Sequence, residues 1–147
     1  MIPAFNENGW LPDGIHDCTL QEAAERSGAF QSSDRRPQLW TRFIGFMREA
    51  KACPWLEVVL LDGSFVMAEP NPRDIDLVLV VAASHNFAAD LPPVQYNLVA
   101  QRRVRRRFGF DILVVKNGSG DLEQAIVFFK QVKQRPGMKK GILRIKL

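Results

Sequence analysis

Cysteine, histidine and tyrosine are scarce in this 147-residue chain, with two, two and one of each. Cys18 and Cys53 make no metal-ligand spacing and no disulfide framework, which fits a reducing cytoplasm. His16 and His85 stand alone, exclude a histidine-rich metal centre and are read as surface or loop residues. Long apolar runs are missing too. The longest, 77–83, falls well short of the roughly 18 consecutive apolar residues that a membrane helix needs. The N-terminus lacks the basic, apolar, small-residue order of a secretory leader, so the expectation is a cytoplasmic chain with no membrane partner. There is no GxSxG, HExxH or GxxxxGK[ST], which removes the usual marks of an α/β-hydrolase, a zinc protease and a P-loop enzyme.

Acidic residues are nearly absent from the last third of the chain. Residues 100–147 carry 13 Lys and Arg against 3 Asp and Glu, whereas residues 1–99 carry 7 against 13. Such a division points to a later part that meets phosphate, nucleic acid or an acidic partner, or to two charged faces that neutralise one another across the fold. What is present otherwise describes one ordinary domain spanning 1–147: 46% hydrophobic and 24% charged residues, at a length that supports a single core.

The opening, 1–36, is a turn-rich lead whose apolar residues clip onto the body, with a short helix over 20–27 started by the Thr19/Glu22 capping box and stopped at Gly28. The core, 37–116, begins with a helix from Pro37 that ends before Pro54 and carries Leu39, Phe43, Met47 and Ala50 on one stripe. Buried strands are expected at 56–61, 75–81 and 110–115. One crossover helix runs through 91–108, with Gly109 as its C-cap. The last part, 117–147, holds a helix capped by Asp121 and running to about Lys133, then a tail, ILRIKL, whose alternation suits an edge strand.

The stretch LDGSFVMAEPNPRDIDLVLVV carries the chemistry. A buried strand ends in Gly63 and Ser64, and nine residues further on come Asp74 and Asp76. Residues i and i+2 of an extended chain point to one side, so both carboxylates face one pocket. Their mutual repulsion is best relieved by a divalent cation. The connector is too short for a helical crossover, so the first two strands run antiparallel. The helix-bearing link to the third strand makes that pair parallel and brings Asp111 to the same sheet end. Gly63 allows close backbone approach to a phosphate and Ser64 offers a hydroxyl and an N–H. Asp74 and Asp76 would bridge two Mg²⁺ ions while Asp111 holds one of them or takes the acceptor's proton, the arrangement for in-line transfer of a nucleotidyl group from an NTP such as ATP.

This pattern, GS, nine residues, then DID and LVLV, resembles the signature of the DNA polymerase beta-like nucleotidyltransferase superfamily, over roughly 56–115. It is similar to the minimal nucleotidyltransferases of bacterial toxin–antitoxin pairs. The whole chain, with LPDGIHDCTL at the front and KKGILRI near the end, resembles a family of small bacterial proteins with this nucleotidyltransferase-like core. The resemblance implies an α/β (α+β) fold with a mixed sheet and flanking helices. It assigns Gly63 and Ser64 to the triphosphate and Asp74, Asp76 and Asp111 to the metals. It also implies an acceptor that is a tRNA or other RNA end, or a hydroxyl on a partner toxin or antitoxin protein, within a toxin–antitoxin or defence system. One departure stands out: the minimal enzymes commonly place an arginine shortly after the serine, whereas Phe65, Val66 and Met67 occupy that stretch here.

Phosphate or nucleic-acid contact is expected from Arg73 and from the run Arg102, Arg103, Arg105, Arg106 and Arg107, with 102, 103 and 106 foremost. The run also suits a helix C-terminus, where cations are favoured. Lys130, Lys133, Lys139 and Lys140 would extend the same surface. Two other readings stand beside the enzyme. One is a catalytically silent module of the same fold that binds nucleic acid or acts like an antitoxin. The other is an enzyme whose base pocket is supplied by a second domain or a second subunit, such as a homodimer mate.

Overall fold

The computed structural model describes residues 1–29 and 33–147; the part of the expected loop at 30–32 lies outside the described residues. Strands β1 (Gly14–Asp17), β2 (Leu56–Asp62), β3 (Asp76–Val81), β4 (Asp111–Lys116) and β5 (Gly141–Lys146) form a five-stranded mixed sheet in the order β1-β5-β2-β3-β4. β2 is antiparallel to β3 and to β5, while β3 and β4 are parallel, as are β1 and β5. The short β2–β3 connector and the helical β3–β4 link thus give the strand directions that their lengths require.

Helices α1 (Leu20–Ala23), α2 (Arg35–Lys51), α3 (Pro93–Val99), α4 (Gln101–Phe108) and α5 (Gly120–Lys130) flank the sheet. Alternation along the strands decides which helix lies on which face. Leu61, Leu77 and Leu79 pack in one cluster with Leu39, Phe43 and Phe46 of α2 and with Leu98 and Val104 of α3 and α4. Leu60, Val78 and Val80 point the other way, into a second cluster with Ala125, Leu122, Ile126 and Phe129 of α5. Burial of these side chains removes apolar surface from water at about 25 cal/mol per Å2, the main force holding both layers to the sheet. No described helix is long and apolar enough to cross a membrane. Burial pushes the Cys18 thiol up to about 11 and raises that of Cys53, so neither is a thiolate at neutral pH.

Several local expectations are corrected. The lead contains a strand, β1, in which His16 is half-buried with Nε2 2.6 Å from the Pro12 carbonyl. After Ala23 the first helix widens into a π turn over Ala24–Gly28, and α2 starts at Arg35 rather than Pro37. The crossover is two helices with an extended break at Ala100. Leu98 and Val104 are both fully buried; on an unbroken helix, six positions at 100° each would set them about 120° apart around the axis. The break rotates both inward. Ser119, not Asp121, caps α5 through its hydroxyl, which accepts the Leu122 N–H at 3.2 Å, and α5 ends at Lys130 rather than Lys133. The tail is no edge strand: β5 lies between β1 and β2, with Ile142 packed on the α5 face and Leu143 and Ile145 on the other.

Candidate active site

The site is built at one end of the sheet. Asp62 pairs with Asp76, and Asp76 with Asp111, in the register of β2, β3 and β4. Each shares the parity of residues that face α5, so the three carboxylate-bearing positions stand in a row across that face. Asp74 lies two residues before Asp76.

Between β2 and β3 the chain makes a short 3-10 turn over Ser64–Val66. Gly63 takes φ of +96°, and a Cβ there would stand 2.9 Å from the Asp74 carbonyl oxygen and 3.1 Å from Asp74 Oδ1. No side chain fits. The Ser64 N–H donates to Asp74 Oδ1 at 2.9 Å and its hydroxyl donates to the same oxygen at 2.7 Å, while the hydroxyl accepts the Arg73 N–H at 2.8 Å. Both donors of Ser64 thereby orient Asp74 and leave Asp74 Oδ2 outside these bonds. Two arginines from the start of α2 hold the connector from beneath. Arg36, only 1% exposed, donates to the carbonyls of Phe65, Met67 and Glu69 at 2.6, 2.6 and 2.7 Å. Arg35 donates to those of Pro72 and Arg73, each at 3.0 Å.

Electrostatics single out Asp76. Burial, then the negative charges of Asp74, Asp62 and Asp111, push its carboxyl up to about 6, with Lys133 acting in the opposite sense. Asp62 is 7% exposed and forms a buried ion pair with Lys140, whose Nζ also donates to the Phe129 carbonyl at 2.9 Å. Burial still raises the Asp62 carboxyl, because desolvation outweighs the single cation beside it. Asp111 is placed differently. Its side chain is 63% exposed and pairs with Arg105 of α4.

Asp62, Gly63, Ser64, Asp74 and Asp76 form one wall of a cavity of about 890 Å3. A second wall comes from the segment between α5 and β5. There the chain forms a small hairpin: Gln131 bridges Lys139, and the Val132 N–H donates to the Met138 carbonyl at 3.3 Å. Lys133, Arg135, Lys139 and Lys140 line the cavity from this segment, with Asn8 and Trp10 from the lead closing another side. Arg135 lies over the Trp10 ring at 5.6 Å. The cavity therefore has an acidic floor and a basic wall.

Of the residues singled out from sequence, Gly63, Ser64, Asp74 and Asp76 meet in this cavity, and Asp111 is in register beside them but turned to Arg105. Arg73, Arg102, Arg103 and Arg106 are not among the lining residues. Among the described residues, no group of three or more His, Cys, Asp or Glu side chains is arranged to hold a metal ion. The expected three-carboxylate centre is thus not preformed.

A family model described as "Family of unknown function (DUF6932)" matches residues 3–146. The chain belongs to the DUF6932 family. No curated protein and no solved structure matches it. The match to DUF6932 takes in both the sheet-end carboxylates and the C-terminal hairpin that faces them. Asp62 and the pairing of Lys140 were not singled out from sequence. The signal for Asp62 was there: it ends a buried strand, shares the parity of Leu60 and immediately precedes Gly63. Lys140 was expected on an exposed basic surface, but it is 7% exposed because it follows the hairpin directly into a central strand.

Proposed function

We propose that this protein is a Mg²⁺-dependent nucleotidyltransferase with a nucleotidyltransferase-like fold, acting on an NTP and an RNA or protein hydroxyl. The observation that carries the reading is the pair Asp74 and Asp76 on the floor of a cavity beside the glycine-serine turn, at the end of a sheet with the strand directions β2 antiparallel to β3 and β3 parallel to β4. The donor set suits a hard cation: Asp74 Oδ2 and the Asp76 carboxylate are oxygen ligands, and the repulsion that raises Asp76 is what a bound cation would relieve. Bound Mg²⁺ would neutralise charge on the phosphoryl oxygens and on the departing pyrophosphate.

In this reading Asp74 and Asp76 would hold the cation, and the two hydrogen bonds from Ser64 fix the Asp74 carboxylate for that role. Gly63 leaves room for the phosphate chain. Asp111, paired with Arg105 here, would add a third oxygen ligand only once that ion pair opens. The test is transfer of label from each α-labelled NTP to total tRNA with Mg²⁺ present. Asp74→Asn and Asp76→Asn should each lower the rate by about 10²- to 10⁴-fold, the scale of several kcal/mol of charge stabilisation. Undiminished transfer by both variants sinks the reading.

The pairing of Asp111 with Arg105 favours a second reading, a silent binding module of the same fold. Calorimetry with Mg²⁺ and each NTP separates the two: the module takes up neither, in any combination.

A further inference from the structure

Charge in the cavity is divided in a way that restricts what it can hold. Its floor carries Asp62, Asp74 and Asp76, and Lys140 offsets the first of them. The hairpin 131–139 lines the same cavity with Lys133, Arg135 and Lys139, and Lys133 is near enough to act on the Asp76 carboxyl. Lys133 and Lys139 pair with no carboxylate among the described residues, in contrast to Lys130 with Asp13 and Lys140 with Asp62. Arg135 is steadied rather than neutralised: it rests on Trp10, and the side-chain Oδ1 of Asn8 accepts from it at 3.4 Å. The hairpin itself is fixed at both ends, by α5 and by the central strand β5, and the Lys140 N–H donates to the Lys130 carbonyl at 2.8 Å.

A free anion would satisfy the hairpin but meet repulsion from the floor, and a free cation the reverse. A phosphate chain complexed with a divalent cation satisfies both walls at once, with oxygens toward Lys133 and Arg135 and the cation toward Asp74 and Asp76. Residues 65–72, directly after Ser64, carry no cation, Arg73 is not among the lining residues, and Arg36 is buried against the connector with its donors on carbonyl oxygens. Phosphate charge must therefore be met by the cations that line the cavity from the hairpin segment.

We propose that the hairpin 131–139 is the polyphosphate-binding wall of this site, with Lys133 and Arg135 as the residues that grip the phosphate chain. The proposal rests on reading the cavity as a nucleotide site, yet it names residues outside the strand-end motif and is tested without catalysis. The experiment is calorimetric titration of the full chain with sodium tripolyphosphate and MgCl2. A Lys133→Gln/Arg135→Gln double variant should bind about tenfold more weakly or worse, the scale expected for two charge-assisted contacts. An Arg102→Gln/Arg106→Gln variant should bind like the wild type. All four side chains are exposed, and circular dichroism confirms that each variant is folded before titration.

Tripolyphosphate that fails to bind the wild type overturns the proposal, and so does a hairpin variant that binds as tightly as the wild type. ATP binding more tightly than tripolyphosphate assigns the wall to a nucleoside triphosphate; equal affinity assigns it to an inorganic polyphosphate. If Asp74→Asn and Asp76→Asn leave transfer intact while the hairpin variant loses tripolyphosphate, the catalytic reading fails and the phosphate wall stands.

Discussion

Two basic regions in the second half of the chain use their charges in opposite ways. On α4, Arg103 donates to Asn97 at 3.0 Å and lies over Tyr96, Arg105 pairs with Asp111, and Arg107 pairs with Glu49 at 2.8 Å. Three of the five arginines are thus committed on an exposed helix surface. In the segment from Lys130 to Lys140, the two end lysines are paired, and the three cations between them face a cavity with carboxylates opposite. The sequence marks the first region far more loudly, since five arginines in six positions are conspicuous and three scattered cations are not. Enclosure, rather than density of charge along the chain, is what focuses a field on a ligand.

The contrast is sharpest between Lys140 and the α4 arginines. Lys140→Met leaves Asp62 buried without its cation, which costs about 3–5 kcal/mol. The urea midpoint of unfolding should fall accordingly, and adding Asp62→Asn to the same chain should recover most of the loss, since it removes the stranded charge. A Lys140→Met variant as stable as the wild type would put this pair on the same footing as the surface pairs of α4.

How much of this could be read beforehand follows from the range of the interactions. The Gly63–Ser64 turn and the Asp74/Asp76 pair were legible because they depend on the nine-residue spacing from Ser64 to Asp74 and on strand alternation, both local. The placement of Asp111 in register with Asp76 was legible because a helical link allows few alternatives to a parallel pair. The hairpin wall was not, because it depends on β5 entering the sheet between β1 and β2, and the pairing of Gly14 with Gly141 joins the two ends of the chain. Alternation in ILRIKL describes an edge strand and a central one equally well when the cations find partners, as Arg144 does in Asp17 at 2.6 and 2.8 Å. The break at Ala100 was hidden for a similar reason: only the simultaneous burial of Leu98 and Val104 requires it.

A smaller effect separates the acidic floor from the exposed carboxylates elsewhere. The folded chain holds the Asp76 proton up to about 6, against an ordinary value of 3.8. A carboxyl raised on folding contributes stability at low pH and loses it as pH rises from its unfolded to its folded value, here from about 4 to about 6. After allowance for the partial exposure of Asp76, the loss amounts to about 1–2 kcal/mol. Without divalent cations, Asp76→Asn should match the wild type near pH 4 and exceed it at pH 8 by that amount, measured as the difference in urea midpoint. Adding Mg²⁺ at pH 8 should close the gap by stabilising the wild type alone. Parallel pH profiles for the two proteins would show that the row of carboxylates is not electrostatically strained.

The smallest expected change is on α4 and bears on the third carboxylate. Arg105 and Asp111 are 70% and 63% exposed, so their ion pair is screened by water and contributes at most about 0.5 kcal/mol. Arg105→Gln should leave the urea midpoint nearly unchanged while freeing Asp111, which already stands in register with Asp76. Under the catalytic reading the freed carboxylate adds an oxygen ligand at the floor, so the Mg²⁺ concentration needed for half-maximal transfer should fall. Under the silent-module reading the urea midpoint is likewise unchanged and neither protein shows transfer at any Mg²⁺ concentration. A stability loss well above 1 kcal/mol would mean that the surface pairs of α4 are structural after all, and the contrast between the two basic regions would then rest on the cavity alone.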